Sequence, residues 1–233
     1  MPRIEWIPIN LNDHSQEPMN ITYFAPEPAF AYYLKQRKDS LLMKCPAFSE
    51  QLKNTYVIKS PYDISFKFDK ESKKLKTTKT SQDFYNENIS FRLSETDPII
   101  VHFFPRYLFL TDSKTPLQII QSPLLLQPSK VGMVAGTFDI SKWVRPIEYA
   151  FELYDENPIH IKRGDPLFLV KFVSSENTPI HLEKGLMTPD ILALTKNCIK
   201  VKKLIPQMNL KALYSMSEEY VNLMQDKIWE DKS

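Results

Sequence analysis

Glycine is scarce in this chain, with four in 233 residues against eighteen prolines. Backbone that cradles a phosphate needs glycine, because only a residue without Cβ lets the main chain approach the anion closely. A glycine-rich phosphate loop is therefore not expected, and none occurs. Cysteine is scarcer still: Cys45 and Cys198 lie far apart, form no CxxC pair, and are expected as two unbridged thiols of a reducing compartment. The four histidines, His14, His102, His160 and His181, stand singly. No HxxxH or HExxH spacing presents two imidazoles together, so neither a metal site nor a cofactor is expected. GxSxG is also missing. No apolar run approaches the roughly 18 residues of a membrane span, and the N-terminus shows no charged-then-apolar leader. The chain is thus expected to be neither secreted nor membrane-inserted. A net charge of +2 is too small to draw the whole molecule to nucleic acid.

What is present points to a β protein. The apolar fraction of 42% and charged fraction of 25% are those of an ordinary globular chain, long enough to bury roughly 70% of its unfolded surface. Many prolines favour short strands joined by rigid turns. Ile147, Tyr149, Phe151 and Leu153 alternate with Glu148, Ala150 and Glu152, the period of a half-buried strand. A turn at Asp155–Pro158 follows, then a short strand Ile159–Ile161, a turn at Arg163–Pro166, and the run Leu167–Val173. That run is apolar on both faces, which places it mid-core. Earlier strands read as Tyr56–Ile58, Ile64–Phe68, Ile89–Leu93, Ile99–Phe104, Tyr107–Thr111 and Leu117–Gln121, with breaks such as Asp97-Pro98 and Ser113-Lys114 between them. Trp6-Ile7-Pro8-Ile9 reads as an edge strand or packed arm in a segment punctuated by Pro2, Pro8, Pro18, Pro26 and Pro28. Helices are expected over Ala29–Met43, ended by Cys45-Pro46, over Thr188–Ile205, stopped by Pro206, and over Leu213–Trp229. In the last, Leu213, Met216, Tyr220, Leu223, Met224, Lys227 and Ile228 recur three or four apart as one stripe.

The chemistry-bearing residues are few. Lys67–Lys79 is rich in lysine, but Asp69 and Glu71 interrupt it, and a solvated hairpin tip with Phe66 and Phe68 turned inward is the simpler reading. Glu148 and Glu152 share one strand face about 13 Å apart, beyond the separation of a glycosidase carboxylate pair. His102, inside Ile99–Phe104, reads as a hydrogen-bonded structural histidine. One constellation remains, in the connection Thr137–Pro146: Asp139, Lys142, Trp143 and Arg145. Two cations and an indole on a rigid sheet suit an anionic, planar ligand, since arginine forks a phosphate and tryptophan stacks a base. The same residues also suit a structural role, with Asp139 paired to Lys142 or Arg145 and Trp143 packed against a neighbouring subunit.

The order Gly-x-x-Asp, aromatic, strand, turn with proline, short strand, Gly-Asp and apolar strand over Gly136–Phe172 resembles the C-terminal half of the dUTPase and dCTP deaminase family. That resemblance implies a β-clip fold and a trimer. Asp139 stands where the family carries the aspartate of its nucleotide-binding turn, Trp143 near its aromatic, and Gly164 near the glycine before its penultimate strand. The departures are specific. The glycine after the aromatic is replaced by Val144 or Arg145, the arginine-containing phosphate motif has no counterpart, and only Glu148 or Glu152 stands where a deaminase glutamate would. The resemblance therefore implies a scaffold whose chemistry is lost. Separately, the stretches Tyr23–Pro28, Lys44–Phe48 and Lys59–Asp63 resemble uncharacterised proteins of tailed phages that infect marine bacteria.

Together these readings give a mainly β fold, β-clip-like or sandwich, over residues 50–175, with a proline-rich arm and one helix over 1–49 and two helices within 176–233. The expected function is that of a non-enzymatic phage protein. It is either an oligomeric ligand binder, trimeric and taking an anionic small molecule or nucleotide, or a structural component of the virion. A nucleotide-acting enzyme is the third reading. Host cytoplasm or virion is the expected location.

Overall fold

The computed structural model describes residues 1–9, 21–38, 40–69, 71–77, 82–93, 98–112, 114–126, 131–175, 178–204 and 208–232. Of the residues singled out above, His14, Pro18, Lys70, Lys79, Asp97, Ser113, Ile205 and Pro206 lie outside them. The protein is mainly β. Its most central strand is β14 (Pro166–Ser174), which lies between β9 (Leu117–Ser122) and β3 (Thr55–Lys59) in a five-stranded sheet. β11 (Thr137–Asp139) and β2 (Glu27–Pro28) close that sheet's edges. Leu167, Phe168, Leu169 and Val170 are consecutive and all buried. Phe168, Val170 and Phe172 enter the main core, while Leu169 packs on the opposite face with Ala29, Tyr32, Tyr33 and Val57. A strand covered on both faces needs this continuous apolar run.

A four-stranded sheet runs in the order β10 (Gly132–Met133), β12 (Tyr149–Leu153), β7 (Ile99–Phe103), β6 (Ile89–Arg92). A three-stranded sheet joins β13 (Ile159–Ile161), β4 (Ile64–Asp69) and β5 (Lys74–Thr77). Its β4–β5 hairpin carries the lysine-rich run: Phe66 and Phe68 are buried, and Lys67, Lys74 and Lys76 are exposed. The turn into β14 holds Gly164 at φ +86°, a conformation glycine adopts without the Cβ penalty.

The last sheet corrects one expectation. Trp6-Ile7-Pro8-Ile9 is not an edge: β1 (Arg3–Pro8) is the middle of three strands, antiparallel to β8 (Tyr107–Thr111) and parallel to β15 (His181–Lys184). Pro8 occupies the final pair, opposite Tyr107, where a missing N–H interrupts little of the ladder. β15 has no apolar alternation in sequence, which hid β1's second neighbour.

The expected helix over Ala29–Met43 is also divided. α1 (Ala29–Gln36) ends where Arg37 leaves helical geometry, and Ser40 then caps a 3₁₀ turn, Leu41–Lys44, its Oγ accepting from the Leu42 N–H at 3.3 Å. Pro46 does not stop a helix but opens the short α2 (Pro46–Gln51), the first-turn position where proline's missing donor is harmless. A further helix, α3 (Gln82–Asn88), lies within the β body. α4 (Pro189–Leu204) and α5 (Leu210–Glu230) pack against each other. The stripe that α5 buries is Leu213, Ser217, Val221, Gln225 and Ile228, whereas Met216 and Leu223 are 53% and 67% exposed. The sequence stripe had merged two faces.

Residues of all three segments, among them Ile4, Phe103 and Ile228, share the main core. The end of α5 is fastened to β1. Lys232 pairs with the buried Glu5, the Trp229 indole donates to the Thr111 carbonyl at 2.9 Å, and Arg3 lies over the Trp229 ring at 4.9 Å.

Candidate functional site

Asp139 ends β11 and shapes the turn after it. Its Oδ1 accepts from the Ser141 N–H at 2.9 Å, the Ser141 hydroxyl at 2.6 Å and the Leu117 N–H at 3.2 Å. Its own N–H donates to the Tyr214 hydroxyl of α5 at 2.7 Å. The carboxylate is buried and, among the described residues, pairs with neither Lys142 nor Arg145. Lys142 instead meets Glu218 of α5 at 3.1 Å, and its carbonyl accepts from the Ser217 hydroxyl. Trp143 is buried beneath α4, its indole N–H bonded to the Cys198 carbonyl at 3.1 Å. Arg145 bonds Glu148 at 2.8 Å and lies over the rings of Phe138 and Trp143, at 5.6 and 5.1 Å. The four residues thus adjoin one another, and each is engaged within its own chain. Here the turn seats α4 and α5. Both cysteines are unbridged, and burial pushes the Cys198 thiol up to about 11.

Arg145 leads to a cluster that sequence spacing did not show. His102 on β7 and Glu148, just before β12, approach to 3.1 Å through Nδ1 and Oε2. Burial alone raises the Glu148 carboxyl. The bond to His102 and the charges of Arg145, His102 and Arg92 outweigh that, holding it below its ordinary value. Gln121 donates to the Glu148 carbonyl at 2.7 Å. Only the pairing of β7 with β12 brings His102 and Glu148 together, so neither residue's local sequence announces the other. Glu152, the second carboxylate of that strand, accepts from the Tyr154 hydroxyl.

A groove of about 380 Å³ opens between β10, β12, β13 and the start of β14. Tyr149 and Phe151 of β12 and Met133 of β10 give it an aromatic and thioether wall. Ile159 and Ile161 of β13 face this wall across the space, with Pro158, Pro166 and Leu167. The Tyr149 ring is stacked on Phe168 at 5.3 Å, and burial raises its hydroxyl to about 12. The polar side chains in the lining, besides the Tyr149 hydroxyl, are His160 and Asp165. His160 Nδ1 lies 2.5 Å from the Ser65 hydroxyl, and Asp165 Oδ2 accepts from the Lys162 N–H at 2.8 Å. No lysine or arginine lines the groove. Sequence reasoning passed over it because its walls come from strands that pair in different sheets.

Among the described residues no group of three or more His, Cys, Asp or Glu side chains is placed to hold a metal ion. None of the described helices is long and apolar enough to cross a membrane. No protein-family model matches this chain, and no curated protein matches it.

Proposed function

We propose that this is a non-enzymatic phage protein that binds a ligand in the groove between β12 and β13 and works as an oligomer. The groove itself supports the reading. Its volume falls in the range of about 300–1,000 Å³ typical of ligand sites, and an apolar lining with a few polar groups at the rim is the usual composition of such sites. The turn at Asp139–Arg145 supports it less well, since an anion arriving there must displace Glu218 from Lys142 or Glu148 from Arg145. A lining with one carboxylate and no basic side chain favours a neutral or cationic ligand over a nucleotide. The test is an NMR screen of small aromatic fragments against the full chain. Binders are expected to shift the amides of Tyr149 and Phe151 and to be lost in Met133→Trp, which fills the groove. Fragments that bind only elsewhere would refute the assignment.

The second reading, a virion component, draws on Met216 and Leu223, which stand exposed on the outer face of α5. Mass spectrometry of purified particles separates the two: a virion component is present in stoichiometric amounts, whereas a host-directed binder is found only in infected-cell lysate.

A further inference from the structure

We infer that the ligand of this groove is an extended polypeptide segment that enters as an added strand. The inference rests on the groove being the binding site, and it names the class of occupant. β10 and β13 are each the terminal strand of their sheets, β10 paired only with β12 and β13 only with β4. Both line the same groove. In an antiparallel ladder a strand spends alternate N–H and C=O groups on each neighbour, so a terminal strand has a set with no strand to pair with. Two such edges flank one apolar cavity, and an inserted strand meets main-chain partners along it. Side chains of an extended segment alternate, so every second one falls toward Tyr149, Phe151 and Met133.

Charge narrows the occupant. Asp165 uses Oδ2 on the Lys162 N–H, and its Oδ1 has no partner among the described residues. With no cation in the lining, a lysine or arginine of the incoming segment is the complement. β13 spans three residues, which limits the pairing to a short stretch of the partner.

The experiment pans a phage-displayed library of random linear heptapeptides on the full chain. Enriched sequences should alternate apolar residues and carry one lysine or arginine. A synthetic peptide of the enriched sequence should slow amide exchange at Ile159–Ile161. Methylating its alternate backbone nitrogens should weaken binding by about tenfold or more. Asp165→Asn, which keeps an acceptor for Lys162, should weaken the lysine peptide but not its norleucine counterpart.

Failure to enrich any sequence, protection confined to other strands, or tolerance of N-methylation each overturns the inference. So does protection of Ile159–Ile161 that appears without peptide and scales with protein concentration, since the occupant is then a second copy. If aromatic fragments still shift Tyr149 and Phe151 while peptides do not bind, only the peptide inference falls. If both fail, the groove is not the site.

Discussion

The indole N–H of Trp143 donates to the carbonyl of Cys198 at 3.1 Å, joining the turn after β11 to the middle of α4. Both residues are buried, so the bond is made where water cannot replace it. Trp143→Phe is expected to lower stability by about 1–2 kcal/mol through loss of the donor. Trp143→Ala should cost about 3–5 kcal/mol because it also opens a cavity. Urea titration measures both, and equal losses for the two variants would show that the bond contributes nothing.

Acid should weaken the protein through Glu148. Its carboxyl lies below the ordinary 4.5 in the folded state, so folding favours the charged form. The stabilisation is present above pH 4.5 and is lost as the pH falls through the depressed folded value. Glu148→Gln should flatten the acid side of the stability profile between pH 5 and 3, roughly the window of a depressed carboxylate. An unchanged profile would remove the His102–Glu148–Arg145 cluster from the account.

β14 should exchange its amides most slowly, since it is hydrogen-bonded on both edges and buried on both faces. Phe172, 1% exposed and edge-on to Phe109 at 5.1 Å, should cost about 3–5 kcal/mol when changed to alanine. Faster exchange in β14 than in α4 or α5 would contradict this ordering.

Self-association is placed on the outward face of α5. The double variant Met216→Lys, Leu223→Lys is expected to lower the mass seen by light scattering while leaving the urea midpoint unchanged, because both side chains already stand in solvent in the single chain. A mass that does not change shows that α5 is not the contact.

The strands were legible in sequence where one chain segment carries its own pattern. Tyr107–Thr111 and Ile159–Ile161 have the expected bounds, and Tyr149, Phe151 and Leu153 are buried alternately as their spacing requires. Features made by two distant segments were not legible. β15 is half polar, so the parallel partner of β1 left no trace in its own residues. α5 carries apolar residues on both faces, and nothing local says that Ser217 turns inward, onto the Leu213 and Lys142 carbonyls, while Leu223 turns out. The four residues of the Asp139–Arg145 connection were correctly singled out as a cluster. What they touch became visible only once Tyr214, Glu218 and Cys198 had been placed beside them.

The position of β1 between β8 and β15 sets an order on synthesis. β1 leaves the ribosome early, yet one neighbour is made near the midpoint of the sequence, and the other, with the helix that fastens its end, only much later. Ile4, Trp6 and Ile7 must therefore wait, unburied, while most of the protein is translated. Pairings of such separation form slowly and leave apolar strand exposed meanwhile. In dilute refolding this predicts a late, concentration-sensitive step whose completion coincides with burial of Trp6 and can be followed by its fluorescence.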